Sequence, residues 1–230
     1  MKNILGTILD DVKIEKFQKY YELLVGWNEK INLTAITEKN EVATKHFLDS
    51  VLICESGKFT SGAKVIDVGT GAGFPGLPLK IFDESLNVTL MDSLGKRINF
   101  LNEVISELSL ENVEAIHSRA EDLGKDKNHR EQYDIAVSRA VANLSTLSEL
   151  CLPFVKVGGY FISLKGPNVE NEIADAKKAI KLLGGQIEDV VNYDIPNTDL
   201  NHNMVIIKKI SNTSTKYPRK APKPAKEPLK

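Results

Sequence analysis

The stretch that decides the fold is Val65-Ile66-Asp67-Val68-Gly69-Thr70-Gly71-Ala72-Gly73-Phe74-Pro75-Gly76, in which a short apolar strand runs directly into a loop with four closely spaced glycines. Glycine lacks a Cβ atom, so it tolerates the sharp turns and close ligand approach that such a loop requires. The free N–H groups at the start of a following helix suit a carboxylate or a phosphate. The stretch therefore predicts a loop that binds a nucleotide-type cofactor.

From residue 64 onward, short apolar segments alternate with amphipathic helices, which is typical of a parallel sheet that is covered on both faces. We therefore predict an α/β fold with a doubly wound, mostly parallel, seven-stranded Rossmann-like sheet. Its ligand crevice should lie at the carboxyl ends of the strands, where the glycine loop falls. The predicted strands are 64–68, 88–91, 113–117, 135–137, 160–164, 187–193 and 204–210.

Residues 1–60 lack strand alternation and are predicted to be helical. Ile14, Phe17, Tyr21 and Leu24 recur at helical spacing, which predicts an apolar stripe that packs on the main domain. We predict three parts of the chain: an N-terminal helical extension over 1–60, a cofactor-binding domain over 61–210 and a basic, proline-rich tail over 211–230.

The composition bounds the class of protein. A chain of 230 residues with 42% hydrophobic residues can bury a full core. Asp10, Asp11 and Lys13 follow soon after the first residues, so the N-terminus predicts neither a signal peptide nor a membrane span, and we expect a cytoplasmic protein. Cys54 and Cys151 stand in apolar surroundings without a metal-ligand spacing, which predicts reduced thiols and no metal site.

The tail from Ser211 onward carries six basic side chains and one acid, so its net charge is +5, although that of the whole chain is −1. Its prolines disfavour a regular helix or a central strand and predict an extended basic arm. Such an arm either keeps the chain soluble or contacts the phosphates of a nucleic acid, and its composition does not decide between the two.

The charges beside the glycine loop favour one cofactor. Dinucleotide folds prefer the spacing G-x-G-x-x-G, whereas here Gly69, Gly71 and Gly73 alternate and Asp67 precedes them. An acid at the end of the first strand repels phosphate but suits the ammonium and sulfonium groups of S-adenosylmethionine, whose carboxylate the loop N–H groups can hold. Asp92 ends the next strand, where it can accept hydrogen bonds from a ribose, although NAD-binding folds share this feature.

Two further strand ends are predicted to face the same crevice. Residues 118–122, after the third strand, are placed to read an adenine edge; alternatively, Ser118 and Glu121 form a capping box at a helix start. Arg139 follows the fourth strand at the mouth of the crevice. An arginine at that position beside a cofactor loop is more often functional than a surface ion pair.

These residues resemble the GidB/RsmG family of 16S ribosomal RNA guanine-N7 methyltransferases over nearly the whole chain. The resemblance implies a class I methyltransferase fold, S-adenosyl-L-methionine as cofactor, and 16S ribosomal RNA or the small ribosomal subunit as partner. Among the shared motifs, the glycine loop that ends in Phe-Pro-Gly is the most specific. The others are Asn32-Leu33-Thr34, His46-Phe47-Leu48-Asp49-Ser50, Ser138-Arg139-Ala140, Leu164-Lys165-Gly166 and Tyr217-Pro218-Arg219-Lys220-Ala221.

The resemblance also implies site residues. By it, Gly69 and Phe74 contact S-adenosylmethionine, Asp92 contacts its ribose, and Arg139 contacts the cofactor or the target guanine. By the same resemblance, Ala120 and Glu121 contact the adenine side of S-adenosylmethionine. Together with the loop positions, the predicted cofactor-binding residues are Asp67, Gly69, Gly71, Gly73, Phe74, Asp92, Ser93, Ala120, Glu121 and Arg139.

The chemistry that the resemblance implies needs no general base, because guanine N7 has a free lone pair at neutral pH. Catalysis then depends on holding N7 at ~3 Å from the methyl group and in line with the departing sulfur. The product is a cationic purine, which a nearby carboxylate or aromatic face would stabilise. The predicted catalytic residues are His46, Asp49, Arg139 and Lys165, with Lys165 in a phosphate-binding rim around the methyl donor.

Two other functions stay open at this point. One is a methyltransferase for a small molecule or a protein, which would not need the basic tail. The other is a ribosome-assembly factor that binds RNA and uses the cofactor for stability alone. An exocyclic-amine methylase is disfavoured because the chain has no Pro-Pro, and a pyrimidine-C5 methylase because Cys151 lies in a predicted helix. We expect a monomer by default.

Overall fold

One sheet of seven strands organises the part of the chain that the computed structural model describes, namely residues 1–6, 8–139, 142–196 and 198–229. Its spatial order, with strands numbered along the chain, is 3-2-1-4-5-7-6. The first five strands run parallel, and the seventh runs antiparallel to both of its neighbours. This confirms the predicted doubly wound, mostly parallel fold. The strands are β1 (Lys64–Val68), β2 (Asn87–Asp92), β3 (Val113–His117), β4 (Tyr133–Ser138), β5 (Val155–Lys165), β6 (Gly185–Asp194) and β7 (Asn201–Lys209).

Helices cover the two faces of the sheet. A π-helical turn at Ala43–Leu48 and short 3₁₀ turns at Ile53–Ser56 and Leu152–Phe154 complete the helical structure of the described residues. The α-helices are α1 (Lys2–Leu5), α2 (Asp11–Asn28), α3 (Lys39–Val42), α4 (Asp49–Leu52), α5 (Gly76–Phe82), α6 (Gly95–Glu107), α7 (Ala120–Leu123), α8 (Leu144–Cys151), α9 (Glu170–Leu182) and α10 (Lys223–Lys226).

Two apolar clusters form the core, one on each face of the sheet. Val65 belongs to the cluster that includes the N-terminal helices, whereas its neighbour Ile66 belongs to the cluster under α8 and α9. Successive side chains of a strand point to opposite faces, so a central strand that is buried on both faces supplies both clusters. The order reverses between β1 and β4, which places the ligand crevice at the carboxyl ends of these two strands.

Helix α2 joins the N-terminal region to the glycine loop. It buries Ile14, Phe17 and Leu24 as predicted, but the fourth member of the stripe is Tyr20. Tyr21 is half-buried and packs against the edge of the same core cluster, and its hydroxyl donates to the carbonyl of Thr37 at 3.1 Å. Both positions satisfy a period of 3.6 residues, so spacing alone does not separate them. The hydroxyl of Tyr20 donates to the carbonyl of Ala72, which ties α2 to the loop.

The tail is packed against the main domain, so the predicted extended arm is wrong. The guanidinium of Arg130 donates to the carbonyls of Thr213 and Tyr217 at 2.6 and 2.9 Å. Arg219 forms several hydrogen bonds of 2.7–3.1 Å with the carboxylate of Glu149. Pro224 is tolerated inside α10 because the first turn of a helix needs no donor there. Lys230 lies outside the described residues.

Within the described ranges, no helix combines the length and the apolar character needed to cross a bilayer. The same ranges contain no group of three or more His, Cys, Asp and Glu side chains arranged to hold a metal ion.

Candidate active site

The glycine loop leads from β1 to α5 with a backbone that favours glycine at three positions. Gly69, Gly71 and Gly73 have φ values of +74°, +62° and +96°. A Cβ atom added at Gly69 or Gly71 would meet open space, whereas one at Gly73 would lie 2.5 Å from Leu77 and 2.6 Å from the hydroxyl of Tyr20. Gly73 is therefore required for packing, a distinction that the regular glycine spacing does not reveal.

Asp67 is fully buried and organises the loop from within. Its Oδ2 atom accepts hydrogen bonds from the Thr70 hydroxyl at 2.6 Å and from the Gly76 N–H, the first of α5, at 2.8 Å. Its Oδ1 atom has no hydrogen-bond partner in the described structure. Burial raises the pKa of Asp67 to about 6. The carboxylate thus holds the loop to α5 and leaves one buried acceptor beside the glycines.

Asp92 ends β2, and its carboxylate joins three neighbouring segments. Its Oδ2 atom accepts from the Gly71 N–H at 2.9 Å and from Arg97 Nη1 at 3.2 Å. Its Oδ1 atom accepts from the Leu94 N–H at 2.9 Å. The position at the strand end, next to the loop, is the one that the sequence predicts for the ribose acid.

A cavity of about 320 Å³ lies at this edge of the sheet, and we name it the cofactor cavity. The predicted residues on its wall are Gly69, Asp92, Ser93, Ala120 and Glu121. The other predicted cofactor residues lie off this wall; they are Asp67, Gly71, Gly73, Phe74 and Arg139.

The alternative interpretation of residues 118–122 as a capping box is wrong. Helix α7 begins at Ala120 with Arg119 at its N-cap, so Ser118 stands one position too early to cap it. The Ser118 hydroxyl instead donates to the Arg119 carbonyl at 3.1 Å. Ser118 and Arg119 both line the cofactor cavity.

A second group of polar side chains surrounds Asp49, and we name it the Asp49 cluster. Asp49 is 1% exposed. Its Oδ1 atom accepts from the Tyr193 hydroxyl at 2.8 Å and from His202 Nδ1 at 2.9 Å, and its Oδ2 atom accepts from Arg139 Nη1 at 3.2 Å. Burial alone would raise the pKa of Asp49, but the His202 hydrogen bond and the Arg139 charge hold it below its usual value. The cluster comprises His46, Asp49, Phe74, Arg139, Tyr193 and His202.

Arg139 is fixed by several contacts and is 20% exposed. The carbon of its guanidinium lies 4.8 Å from the centre of the Phe74 ring. Nη1 also donates to the Lys45 carbonyl, and Nη2 lies 3.2 Å from His46 Nδ1. The cation is thus held over an aromatic face at the end of the glycine loop, a favourable arrangement for both groups. Ala140, the last residue of the predicted 138–140 turn, lies outside the described residues.

His46 stacks on Phe74 with 4.6 Å between the ring centres. Burial, with the charge of Arg139, lowers the pKa of His46 to about 4, so the ring is neutral at pH 7. His46 Nδ1 lies 3.2 Å from both Arg139 Nη2 and the Lys45 carbonyl, and Nε2 lies 2.8 Å from the Thr34 hydroxyl.

The neutral state of His46 predicts a pH dependence of stability. Its pKa is lowered on folding from 6.5 to about 4, so the unfolded chain binds the additional proton as the pH falls below 6.5 and the folded chain does not. The stabilising contribution is complete above pH 6.5 and is lost towards pH 4. We expect His46→Gln to remove about 2 kcal/mol of the wild-type decrease in unfolding free energy between pH 7 and pH 4.5, measured by urea denaturation. His117→Gln, at an exposed ring, is the control, and equal decreases in wild type and His46→Gln would contradict the assignment.

Sequence reasoning missed Tyr193 and His202. They face each other across β6 and β7, and they contact Asp49 over 144 and 153 residues of sequence. No local motif signals such a contact. The available signal is that both polar aromatic side chains stand near adjoining ends of the last two predicted strands.

Lys165 stands at the carboxyl end of β5, as predicted, but is 8% exposed. Its ammonium donates to Glu172 at 2.6 Å and to the Ala142 carbonyl at 2.8 Å. The structure therefore pairs Lys165 with α9 and does not bring it into the Asp49 cluster. Its place in a phosphate-binding rim stays a prediction.

Solved structures share this sheet with low sequence identity. TYW2 from M. jannaschii, solved in complex with AdoMet, matches 70% of this chain and 77% of its own with a TM-score of 0.54 and 17% identity. TrmN from Thermus thermophilus matches 71% of this chain and 48% of its own with a TM-score of 0.53 and 16% identity. The fold, the glycine loop and the acid at the end of β2 define an S-adenosylmethionine-dependent methyltransferase of the Rossmann-like class I.

The chain belongs to the GidB family, described as rRNA small subunit methyltransferase G, whose model matches residues 13–201. A relative from Clostridium botulinum (strain ATCC 19397 / Type A), named Ribosomal RNA small subunit methyltransferase G, is 53% identical over 99% of this chain and 98% of its own length. A relative of the same name from Clostridium perfringens (strain SM101 / Type A) is 55% identical over 98% and 95%. The resemblance inferred from the motifs is confirmed.

S-adenosyl-L-methionine is the methyl donor of this family, and the residues present fit it. The cavity wall carries the Asp92 carboxylate and the exposed backbone of Gly69, where a side chain would enter open space.

Proposed function

We propose that this protein methylates N7 of a guanine in 16S ribosomal RNA, free or within the small ribosomal subunit, and that it acts in the cytoplasm. The observation that carries the proposal is the Asp49 cluster, which holds the Arg139 cation over Phe74 at the end of the cofactor loop. The names of the relatives support the RNA substrate.

The proposed reaction requires the protein to position the two reactants. When bound, S-adenosylmethionine supplies an electrophilic methyl group. Guanine N7 carries its own lone pair, so no side chain has to remove a proton from it. The contacts of Asp49 agree with this, because its carboxylate already accepts from three side chains and its charge serves to hold them.

We assign a role to each part of the two sites. Asp92 binds the ribose hydroxyls, and Ala120 and Glu121 contact the adenine. Arg139 donates to guanine O6, the acceptor next to N7 that arginine commonly recognises. Asp49 sets the direction of that guanidinium, and the Phe74 ring lies against the charge that develops on the purine.

The test is transfer of a labelled methyl group to small subunits that lack the native modification, compared with naked 16S RNA and followed by nucleoside analysis. We expect the label in 7-methylguanosine. Label in another nucleoside would contradict the assigned atom. Cofactor binding without transfer to either RNA would favour a ribosome-assembly factor. Transfer to a small molecule or a protein would favour a methyltransferase for that class of substrate.

Asp92→Ala tests the cofactor cavity separately from the RNA. We expect the Kd for S-adenosylmethionine to rise about 10- to 100-fold, because hydrogen bonds to a charged group contribute ~1.5–3 kcal/mol. Calorimetric titration measures this change. Asp122→Ala, at an exposed acid on α7, is the matched control. An unchanged Kd in a folded Asp92→Ala protein would exclude the ribose role.

A further inference from the structure

A second cavity, of about 490 Å³, adjoins the cofactor cavity, and we name it the basic groove. One wall is formed by residues 30–33, which follow α2, and the other by residues 93–97 at the start of α6. Ser93 and Arg97 line both cavities. The groove therefore continues from the ribose side of the cofactor cavity to the N-terminal helical region.

Every charged residue on the groove wall is a cation: Lys30, Lys96 and Arg97. Lys30 and Lys96 are exposed, and neither ammonium forms an ion pair or a hydrogen bond within the described residues. Arg97 is partly paired with Asp92 at 3.2 Å and keeps 33% of its side chain exposed. The groove thus holds uncompensated positive charge on both walls.

The energetics of α6 agree with an anionic occupant. Its first turn contains Lys96 and Arg97 and no acid, and the Asp92 carboxylate, which accepts from the Leu94 N–H and pairs with Arg97, leaves Lys96 uncompensated. Cations near a helix N-terminus are unfavourable because they meet the positive end of the helix dipole. An anion in the groove would offset both this repulsion and the repulsion between the two walls.

The docked tail is a weaker candidate for the principal RNA contact. Arg219 is neutralised by Glu149, Lys223 lies 3.8 Å from Glu227, and no described residue of the tail lines the cofactor cavity. In contrast, the groove opens beside the cavity where the methyl donor is held. An RNA strand that delivers a base to this cavity brings its flanking phosphates to the same surface.

We propose that the basic groove binds backbone phosphates of the RNA strand that carries the target nucleotide, with Lys30 and Lys96 on opposite sides of the strand. This inference rests on the proposed function. Each phosphate neutralised by a lysine releases counterions, so the groove has a signature in the salt dependence of binding.

The experiment compares Lys30→Ala/Lys96→Ala with the full-length wild type in binding to unmodified small subunits over a range of salt concentrations. We expect about 10- to 100-fold weaker binding near 100 mM salt and a slope of log K against log salt that is smaller by about 1–2. The Kd for S-adenosylmethionine should stay unchanged, and Lys30→Arg/Lys96→Arg should restore the slope.

Lys177→Ala/Lys181→Ala, which removes two exposed lysines from α9, is the matched control and should keep the wild-type slope. A wild-type slope in the groove variant, or an equal decrease of the slope in the control, would contradict phosphate binding by the basic groove. If the wild type methylates subunits and the groove variant binds them normally, phosphate binding by the groove is refuted and the proposed function stands. If the wild type neither binds nor methylates subunits, both the proposed function and phosphate binding by the groove are refuted.

Discussion

Replacing Asp49 by asparagine is expected to lower kcat/KM for methylation of small subunits about 100-fold while leaving the Kd for S-adenosylmethionine unchanged. The amide keeps the size of the side chain but loses the charge, and it offers one acceptor oxygen where three donors converge from Tyr193, His202 and Arg139. Arg139 then loses the carboxylate that directs it. A 100-fold decrease corresponds to about 2.7 kcal/mol, within the range for losing a hydrogen bond to a charged group.

Steady-state methyl transfer and calorimetric titration measure the two quantities. Asp134→Asn is the matched control, because Asp134 is also paired with a cation, Lys156, but stands at the start of β4, whereas Arg139 follows the end of that strand. In an Arg139→Ala background, Asp49→Asn should add little further loss, since the two residues act as one unit. A full 100-fold loss in that background would refute a role of Asp49 through Arg139.

Replacing Arg219 by alanine is expected to lower the free energy of unfolding by about 3–5 kcal/mol. Glu149 is completely buried in α8, and Arg219 supplies both its guanidinium hydrogen bonds and a backbone N–H bond at 2.8 Å. The substitution leaves a buried carboxylate without its counter-charge. Urea denaturation at pH 7 measures the change.

Lys220→Ala is the control for Arg219→Ala, because Lys220 is the exposed neighbour in the same segment. It should change the unfolding free energy by less than about 0.5 kcal/mol. Replacing Arg219 and Glu149 together by apolar residues should recover much of the loss, because no buried charge then remains unpaired. A decrease of less than 1 kcal/mol for Arg219→Ala would show that the tail does not stabilise the domain through this pair.

The sequence predicted the parts of the fold that depend on short-range pattern. Strand β1, which carries Val65, Ile66 and Val68 and is followed by glycines, indicated both the parallel sheet and the cofactor loop. Asp92 was placed at the cavity because the carboxyl ends of neighbouring parallel strands meet at the same edge of the sheet as the glycine loop. Such inferences need only the period of a strand and the direction of a parallel sheet.

The remaining features depend on tertiary contacts. The prolines and basic residues of the tail predicted an extended arm, because a sequence does not show that Arg219 has a buried partner 70 residues earlier. Gly73 and Gly69 look equivalent in the loop, yet one packs on Tyr20 and the other faces open space. Tyr193 and His202 were missed for the same reason, since their function is visible only beside Asp49.

The Asp49 cluster also separates two stages in the synthesis of the chain. All residues on the wall of the cofactor cavity lie between Val68 and Leu150, whereas two donors to Asp49 come from Tyr193 and His202. A nascent chain that ends between Leu150 and Tyr193 contains the whole cofactor wall but holds Arg139 without those donors. Such a chain has every residue that lines the cofactor cavity and lacks two of the three side chains that donate to the Asp49 carboxylate.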